Sequence, residues 1–316
     1  MARRVRIDTE LVRRGLARSR QHAGELLAAG HVLLDGVVVT KPARQVDPAQ
    51  ALRVDVPEQD DFVSRGAHKL AGALDALGPD APVVAGRRCL DAGASTGGFT
   101  DVLLRRGAAH VVAVDVGYGQ LAWSLQTDPR VTVLDRTNVR TLTPEMVAPA
   151  PELVVGDMSF ISLTLVLPAL ARAAAPGADL LLMVKPQFEV GKERLGHGGV
   201  VRDPALHVES VLKVAAAAAQ EGLDTWAVVP SPLPGPSGNV EYFVALRRDH
   251  PGALRDEVLE AAAAEAVRTG PAGSAPGPAG SAPGPAGSAS GPAGSASGAA
   301  ADAAPLPSSE PRQESA

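Results

Sequence analysis

The sequence predicts an α/β protein: a seven-stranded sheet interleaved with helices, preceded by a small α+β unit and followed by a tail that does not fold. Three observations carry this prediction. From residue 87 onward, short apolar runs alternate with helix-length segments, the pattern of a parallel sheet covered on both faces. Ahead of that region, two helical stretches lead into a hairpin signal. Behind it, GPAGSAP and GPAGSAS repeats fill the chain from Gly270 to Ser297.

In chain order, Thr9 is a suitable N-cap for a helix over Glu10–Leu16, and a second helix is expected over about Arg20–Ala29, stopped by Gly30. His31–Leu34 and Val37–Val39 flank Asp35-Gly36, a two-residue hairpin turn. Residues 1–53 hold ten Lys/Arg against five Asp/Glu, a local +5, so with −5 overall the remainder carries −10. Such asymmetry suits a unit that meets a polyanion, although a solvated basic face would read the same way. The stretch LARSRQHAGELLAAGHVLLDGVVVTKPARQV resembles the S4 RNA-binding domain in its Ser-Arg, its Ala-x-x-Leu-Leu helix, its Gly-x-Val and its Asp-Gly hairpin. The resemblance implies RNA contacts through Arg13, Arg14, Arg18, Arg20, Lys41 and Arg44. Arg18 and Arg20 could instead pair internally with Glu25 or Asp8.

Residues 54–63 are polar, contain proline and reverse the charge, so a junction is expected there. The divisions that follow are a first domain over 1–56, a linker over 57–63, the sheet domain over 64–250, a C-terminal helix over 251–268 and the tail over 269–316. Ser64 is read as the cap of a helix carrying Lys69 through Leu77. Strands are expected at 87–91, 111–115, 131–134, 152–156, 179–184, 224–229 and 240–247, a Rossmann-like arrangement. The tail is not collagen, because its glycines alternate spacings of three and four. Lacking large apolar side chains, it is expected to stay disordered.

Composition narrows the class further. A single cysteine, Cys89, allows neither an internal disulfide nor a Cys-based metal cluster and fits a reducing compartment. The charged N-terminus lacks the apolar core of a secretory signal. The apolar run Leu163–Val184 is broken by Pro168, Arg172, Pro176, Gly177 and Asp179, short of the roughly 20 apolar residues a membrane helix needs. The seven histidines show no metal-ligand spacing, so no metal is expected. A cytoplasmic location follows, with no membrane partner and a monomer favoured.

The segment CLDAGASTGGFTDVLLRRG reads as an apolar strand ending at Asp91, a glycine-rich turn and a helix from about Gly98, where nucleotide-like ligands bind. A dinucleotide fingerprint needs a middle glycine so that backbone can approach a pyrophosphate, but this loop offers Gly93, Ser95 and Gly98. S-adenosyl-L-methionine has no pyrophosphate. Gly97 and Phe99 complete its expected cradle. Asp115 closes the next strand, 22 residues after Gly93, where it could accept from two ribose hydroxyls. Asp135 ends the third strand near the expected adenine, and Asp157 ends the fourth beside the methionine end.

The acceptor is narrowed by elimination. Methylation at pyrimidine carbon-5 needs a cysteine nucleophile, and Cys89 lies within the first buried strand. Methylation of a base amino group commonly uses an Asp/Asn-Pro-Pro-aromatic turn, which here reads Asp157-Met158-Ser159-Phe160. A ribose hydroxyl is a poor nucleophile and needs positioning and help in losing its proton. Only five lysines stand against 25 arginines, so each lysine invites a reason. Lys185 directly follows the apolar strand DLLLMV, Lys69 lies on the helix leading into the sheet, and Glu241 opens the last strand.

Lys69, Asp157, Lys185 and Glu241 resemble the Lys-Asp-Lys-Glu tetrad of the FtsJ-like ribose 2′-O-methyltransferases. With SRGAHKL, LDAGASTGGFTD, DVGYGQLAW, MSFISL, VKPQFEVGK and PLPGPSGNVEYF, the resemblance narrows to the TlyA family over residues 1–247. It implies a Rossmann-like methyltransferase sheet behind an S4-like domain, and 2′-O-methylation of cytidine in large-subunit ribosomal RNA, and in small-subunit RNA as well. It implies that Lys185 assists deprotonation, that Asp157 and Lys69 orient it, and that Glu241 aligns the ribose. Phe160 could stack on a base or sit in the core. The glycine-rich EVGKERLGHGGVVRD, with Lys192, Arg194 and Arg202, could be a lid or a plain surface loop. Two other functions stay open: a membrane-active haemolysin and a non-catalytic ribosome-assembly factor.

Overall fold

The computed structural model describes residues 4–17, 19–55 and 62–271. In the N-terminal unit, β1 (Val5–Arg6) runs straight into α1 (Ile7–Arg13), followed by α2 (Arg20–Ala28), β2 (Val32–Leu34), β3 (Val37–Val38), β4 (Gln45–Val46) and β5 (Leu52–Val54). The first helix starts at Ile7, earlier than a Thr9 cap would allow, because the Asp8 carboxylate takes the Thr9 N–H at 2.8 Å and Ile7 is needed in the core. The second begins where the Ser19 hydroxyl accepts from the His22 N–H, the expected capping chemistry. Asp35 and Gly36 take φ of 50° and 81°, the two left-handed positions that a tight hairpin of this type requires. Ile7, Leu11, Leu27 and Val32 are fully buried and join the helices to the sheet.

The larger part comprises α3 (Gly66–Leu77), β6 (Arg88–Ala92), α4 (Gly98–Arg105), β7 (His110–Val114), α5 (Trp123–Gln126), β8 (Val131–Leu134), β9 (Leu153–Gly156), α6 (Leu167–Ala173), β10 (Asp179–Val184), α7 (Pro186–Glu189), α8 (Pro204–Gln220), β11 (Asp224–Pro230), β12 (Tyr242–Arg247) and α9 (Asp256–Thr269). All seven expected strands form, in the order β11-β12-β10-β9-β6-β7-β8. Side chains alternate between two apolar layers. Leu90, Val112, Val154 and Leu182 face α6, α8 and α9, whereas Cys89, Val111, Val155 and Met183 face α3 and α4.

Four expectations need correcting. The sheet is mixed, because β12 runs antiparallel to both β10 and β11. Helix α3 begins at Gly66 without a side-chain cap, so Ser64 does not cap it. Thr9 does not cap the first helix, as described above. The C-terminal helix starts at Asp256, five residues later than expected, after a turn in which His250 and Arg255 are held by Asp224. The tail from residue 272, linker residues 56–61 and Arg18 lie outside the described residues.

Candidate active site

The strand ends bring the chemistry to one rim. Ala92 of β6 is in register with Gly156 of β9, and Val184 of β10 with Tyr242 of β12. Asp157 and Lys185 therefore leave their strands at the rim where the glycine turn starts. Glu241 precedes its strand, and it reaches this rim only because β12 runs the opposite way. Lys69 comes from α3, which packs against α4.

Two ion pairs result. Lys69 Nζ lies 2.5 Å from Glu241 Oε2, with both side chains almost fully buried. Lys185 Nζ lies 2.5 Å from Asp157 Oδ1 as a charge contact outside hydrogen-bond geometry, and donates to Ser159 Oγ at 2.8 Å. A cavity of about 390 Å³ opens onto Lys69, Asp157, Ser159 and Lys185 together with Gly93, Ser95, Gly98 and Phe99. That size lies within the range that holds a cofactor. A larger cavity of about 630 Å³ between α3 and α4 is lined by none of the four tetrad side chains.

The glycine turn sets this geometry as much as it makes room. A Cβ on Gly93 would stand 2.9 Å from the Asp157 carbonyl, and one on Gly98 would stand 2.4 Å from Ser64 Oγ and 2.8 Å from the Ala67 nitrogen. Without a side chain at either position, the turn seats the Asp157 segment on one side and the α3 start, one turn before Lys69, on the other. Gly97 takes a φ of 96° and packs against Leu121 and Leu125. Ser95, at φ 47°, donates its N–H to Asp115 Oδ2 at 2.8 Å, and Asp115 Oδ1 accepts from the Gly117 N–H at 2.7 Å. Asp135 accepts from the Gly119 N–H at 2.8 Å. Asp115 thus braces the turn that carries Ser95 into the cavity wall, whereas neither Asp115 nor Asp135 itself lines the cavity.

Asp91 is fully buried. Its Oδ2 accepts from the Thr100 hydroxyl at 2.7 Å, whereas Oδ1 has no partner among the described residues. Burial pushes its carboxyl up to about 7, and the nearby acids Asp157 and Asp115 push the same way. Burial likewise pushes the Cys89 thiol up to about 12, an inert group inside β6.

Some residues near the rim were not singled out from the sequence. Ser159, which accepts from Lys185, stands two places after Asp157, and that spacing was the available signal. Gln21, from α2 of the N-terminal unit, also lines the cavity, and nothing local marks it. Phe160 is 91% exposed at a φ of 64°, its ring 5.3 Å from that of Phe188, so it does not serve the core. The stretch bearing Lys192 is fastened at several points: Arg194 to Glu209, and Val201 to Asn239 and His207.

The basic residues of the N-terminal unit are divided. Arg14 is largely covered and holds Glu10 and the carbonyls of Pro48 and Gln50. Arg13 and Arg20 pair with Glu10 and Asp8 yet stay mostly exposed. Lys41 and Arg44 are exposed.

The profile of the FtsJ-like methyltransferase family matches residues 62–248, and that of the S4 domain matches residues 5–51. The 16S/23S rRNA (cytidine-2′-O)-methyltransferase TlyA of Mycobacterium tuberculosis H37Rv is 60% identical over 86% of this chain and 100% of its own. The 23S rRNA (cytidine-2′-O)-methyltransferase TlyA of Campylobacter jejuni is 33% identical over 71% of this chain and 92% of its own. A solved structure from Streptococcus thermophilus that bears the name of a hemolysin superposes with a TM-score of 0.65 at 35% identity, covering 85% of this chain and 97% of that one.

Proposed function

We infer the function from one premise: the chain belongs to the TlyA family, an S4 domain followed by an FtsJ-like methyltransferase domain, and is a methyltransferase. In our reading it uses S-adenosyl-L-methionine to methylate the 2′-hydroxyl of cytidine in ribosomal RNA of the large subunit and, like its mycobacterial relative, of the small subunit. The observation that carries this is that Lys69, Asp157 and Lys185 line one cavity walled by the glycine turn, with Glu241 paired to Lys69.

The residues present suit the cofactor. Side-chain-free positions at Gly93 and Gly98 border the cavity, Gly98 and Phe99 at the start of α4 line it, and the Asp91 carboxyl has a buried oxygen without a partner among the described residues. We assign the cofactor to Asp91, Gly93, Ser95, Gly97, Gly98, Phe99, Asp115, Asp135 and Asp157. When bound, S-adenosyl-L-methionine supplies an electrophilic methyl group. Lys185 first gives up one proton to solvent, since the ammonium paired with Asp157 has no lone pair; the free amine then holds the sugar hydroxyl and receives the proton that its oxygen loses. Asp157, in contact with that nitrogen, stabilises the resulting ammonium, and Ser159 fixes its direction. Lys69 and Glu241 form the second pair, in which the amine contributes positive charge beside the developing alkoxide and the carboxylate fixes the amine.

RNA reaches the site through the S4 unit, whose Arg13, Arg20, Lys41 and Arg44 present cations to phosphate. Arg14 is instead taken up within the unit by Glu10 and the carbonyls of Pro48 and Gln50, and Arg18 falls outside the described residues. Among the described residues no helix is long and apolar enough to cross a membrane.

The test uses ribosomal subunits that lack the modification. Wild-type protein should introduce 2′-O-methylcytidine, detected as nuclease-resistant dinucleotides. Lys185→Ala should bind labelled cofactor normally and lose about 10²–10⁴-fold in rate, the usual share of general base catalysis. A Lys185→Ala protein that still works at the wild-type rate, or a wild type that leaves ribosomal RNA unmodified, rules this reading out.

A further inference from the structure

Glu189 is the last residue of α7, one turn beyond Lys185, and is 3% exposed. A carboxylate so buried is costly unless its lone pairs are met. Here they are met from one direction. Oε2 accepts from the Ser162 hydroxyl at 2.6 Å, and Oε1 accepts from the Leu163 N–H at 2.7 Å. Lys213 of α8 donates to the Glu189 carbonyl at 2.6 Å and brings its charge within 3.6 Å of Oε2. One of only five lysines in the chain is thus spent on this acid.

Ser162 and Leu163 end the segment that starts at Asp157. Between them lie Ser159, which receives the Lys185 hydrogen bond, and Phe160 in its left-handed conformation. The segment forms no helix before Leu163–Leu165, so its path depends on where its ends are held. β9 and the approach of Gly93 hold the first end. Glu189 holds the second. The two stretches are therefore joined by two rungs: Lys185 to Asp157 and Ser159 at the cavity, and Glu189 to Ser162 and Leu163 behind it.

We propose that Glu189 is a positioning residue for methyl transfer, which fixes Asp157 and Ser159 against Lys185 by clamping the far end of their loop. The inference rests on the function proposed above. An apolar contact would fill the same space without fixing direction, whereas a carboxylate with two donors defines one loop position. A displacement of about 1 Å at a reacting group costs on the order of a hundredfold in rate.

The experiment compares wild type with Glu189→Ala, Glu189→Gln and Ser162→Ala on unmodified ribosomal subunits, and records kcat, KM for cofactor and for subunits, and melting temperature. Glu189→Ala removes both hydrogen bonds to the loop and should lower kcat roughly ten- to a hundredfold, with both KM values within about twofold of wild type. Glu189→Gln keeps an oxygen for the Leu163 N–H and should recover part of that loss. Ser162→Ala leaves the carboxylate with Leu163 and Lys213, so it should fold even if Glu189→Ala does not, and should show a smaller kcat loss at unchanged KM. Wild-type kcat in Ser162→Ala and Glu189→Gln, or activity lost only in proportion to unfolded protein, would overturn the clamp. An inactive wild type would instead remove the functional reading beneath it.

Discussion

In the N-terminal unit, buried acids hold cations that remain in water: Glu10 is 1% exposed and its partner Arg13 is 62% exposed. At the rim of the sheet the acid and the cation are buried together, Lys69 at 6% and Glu241 at 1%. The same ion-pair chemistry therefore serves opposite ends. An exposed guanidinium on a buried anchor offers its outer face to another anion while its stem is fixed. A buried ammonium against a carboxylate meets only what enters its cavity. Arg13 holds the Glu10 carboxyl down to about 2, so this anchor stays charged at any physiological pH.

The contrast can be broken most sharply at Glu241. Glu241→Ala would leave Lys69 buried without its carboxylate, and removing one partner of a buried pair costs about 3–5 kcal/mol. Chemical denaturation should show a loss of that size, together with loss of methylation. A double variant, Lys69→Met with Glu241→Leu, should regain most of the stability and none of the activity. If the single variant is as stable as wild type, the pair is more hydrated than its burial implies.

At the exposed pairs the expected change is in binding. Arg13→Ala with Arg20→Ala should weaken binding to ribosomal RNA and flatten its dependence on salt by about one unit of slope for each phosphate that is no longer neutralised. Melting temperature should shift little, because each buried acid keeps a second cation: Glu10 keeps Arg14 and Asp8 keeps Arg6. Arg14→Ala should do the reverse, since that side chain holds two carbonyls at Pro48 and Gln50. An unchanged salt slope in the double variant would move the RNA face elsewhere on the unit.

Much of this was legible in the sequence, for reasons that can be stated. Strand ends show in sequence because buried strands are apolar and stop at turn residues, so Asp91, Asp157 and Lys185 could be placed at a rim. Glu241 could be placed at the start of its strand, but a fully parallel sheet would have put that start on the opposite rim. Strand direction is decided by pairing across the sheet, which one chain read linearly does not reveal. Arg14 was grouped with the other arginines because charge is visible in sequence and carbonyls 34 and 36 residues away are not. Gln21 and Glu189 escaped for the same reason: each acts on a segment distant in sequence.

Asp91 extends the comparison to an acid buried with no paired cation among the described residues. Its partners are the hydroxyl and N–H of Thr100, and burial raises its carboxyl to about 7 from the usual 3.8. A group raised on folding stabilises the fold most below its unfolded value and loses that contribution as pH rises through its folded value. The native state should thus lose stability between about pH 4 and 7 and level off above. Asn at this position can keep an acceptor for Thr100 and has no proton to lose. Melting curves of Asp91→Asn and wild type at pH 5, 6, 7 and 8 should therefore diverge in favour of the variant up to about pH 7, by a few degrees, and then run parallel. A gap that stays constant across this range would mean that Asp91 is ionised in the folded protein throughout. Its charge would then need a partner, and the free Oδ1 at the foot of the glycine turn would be the place to look for one.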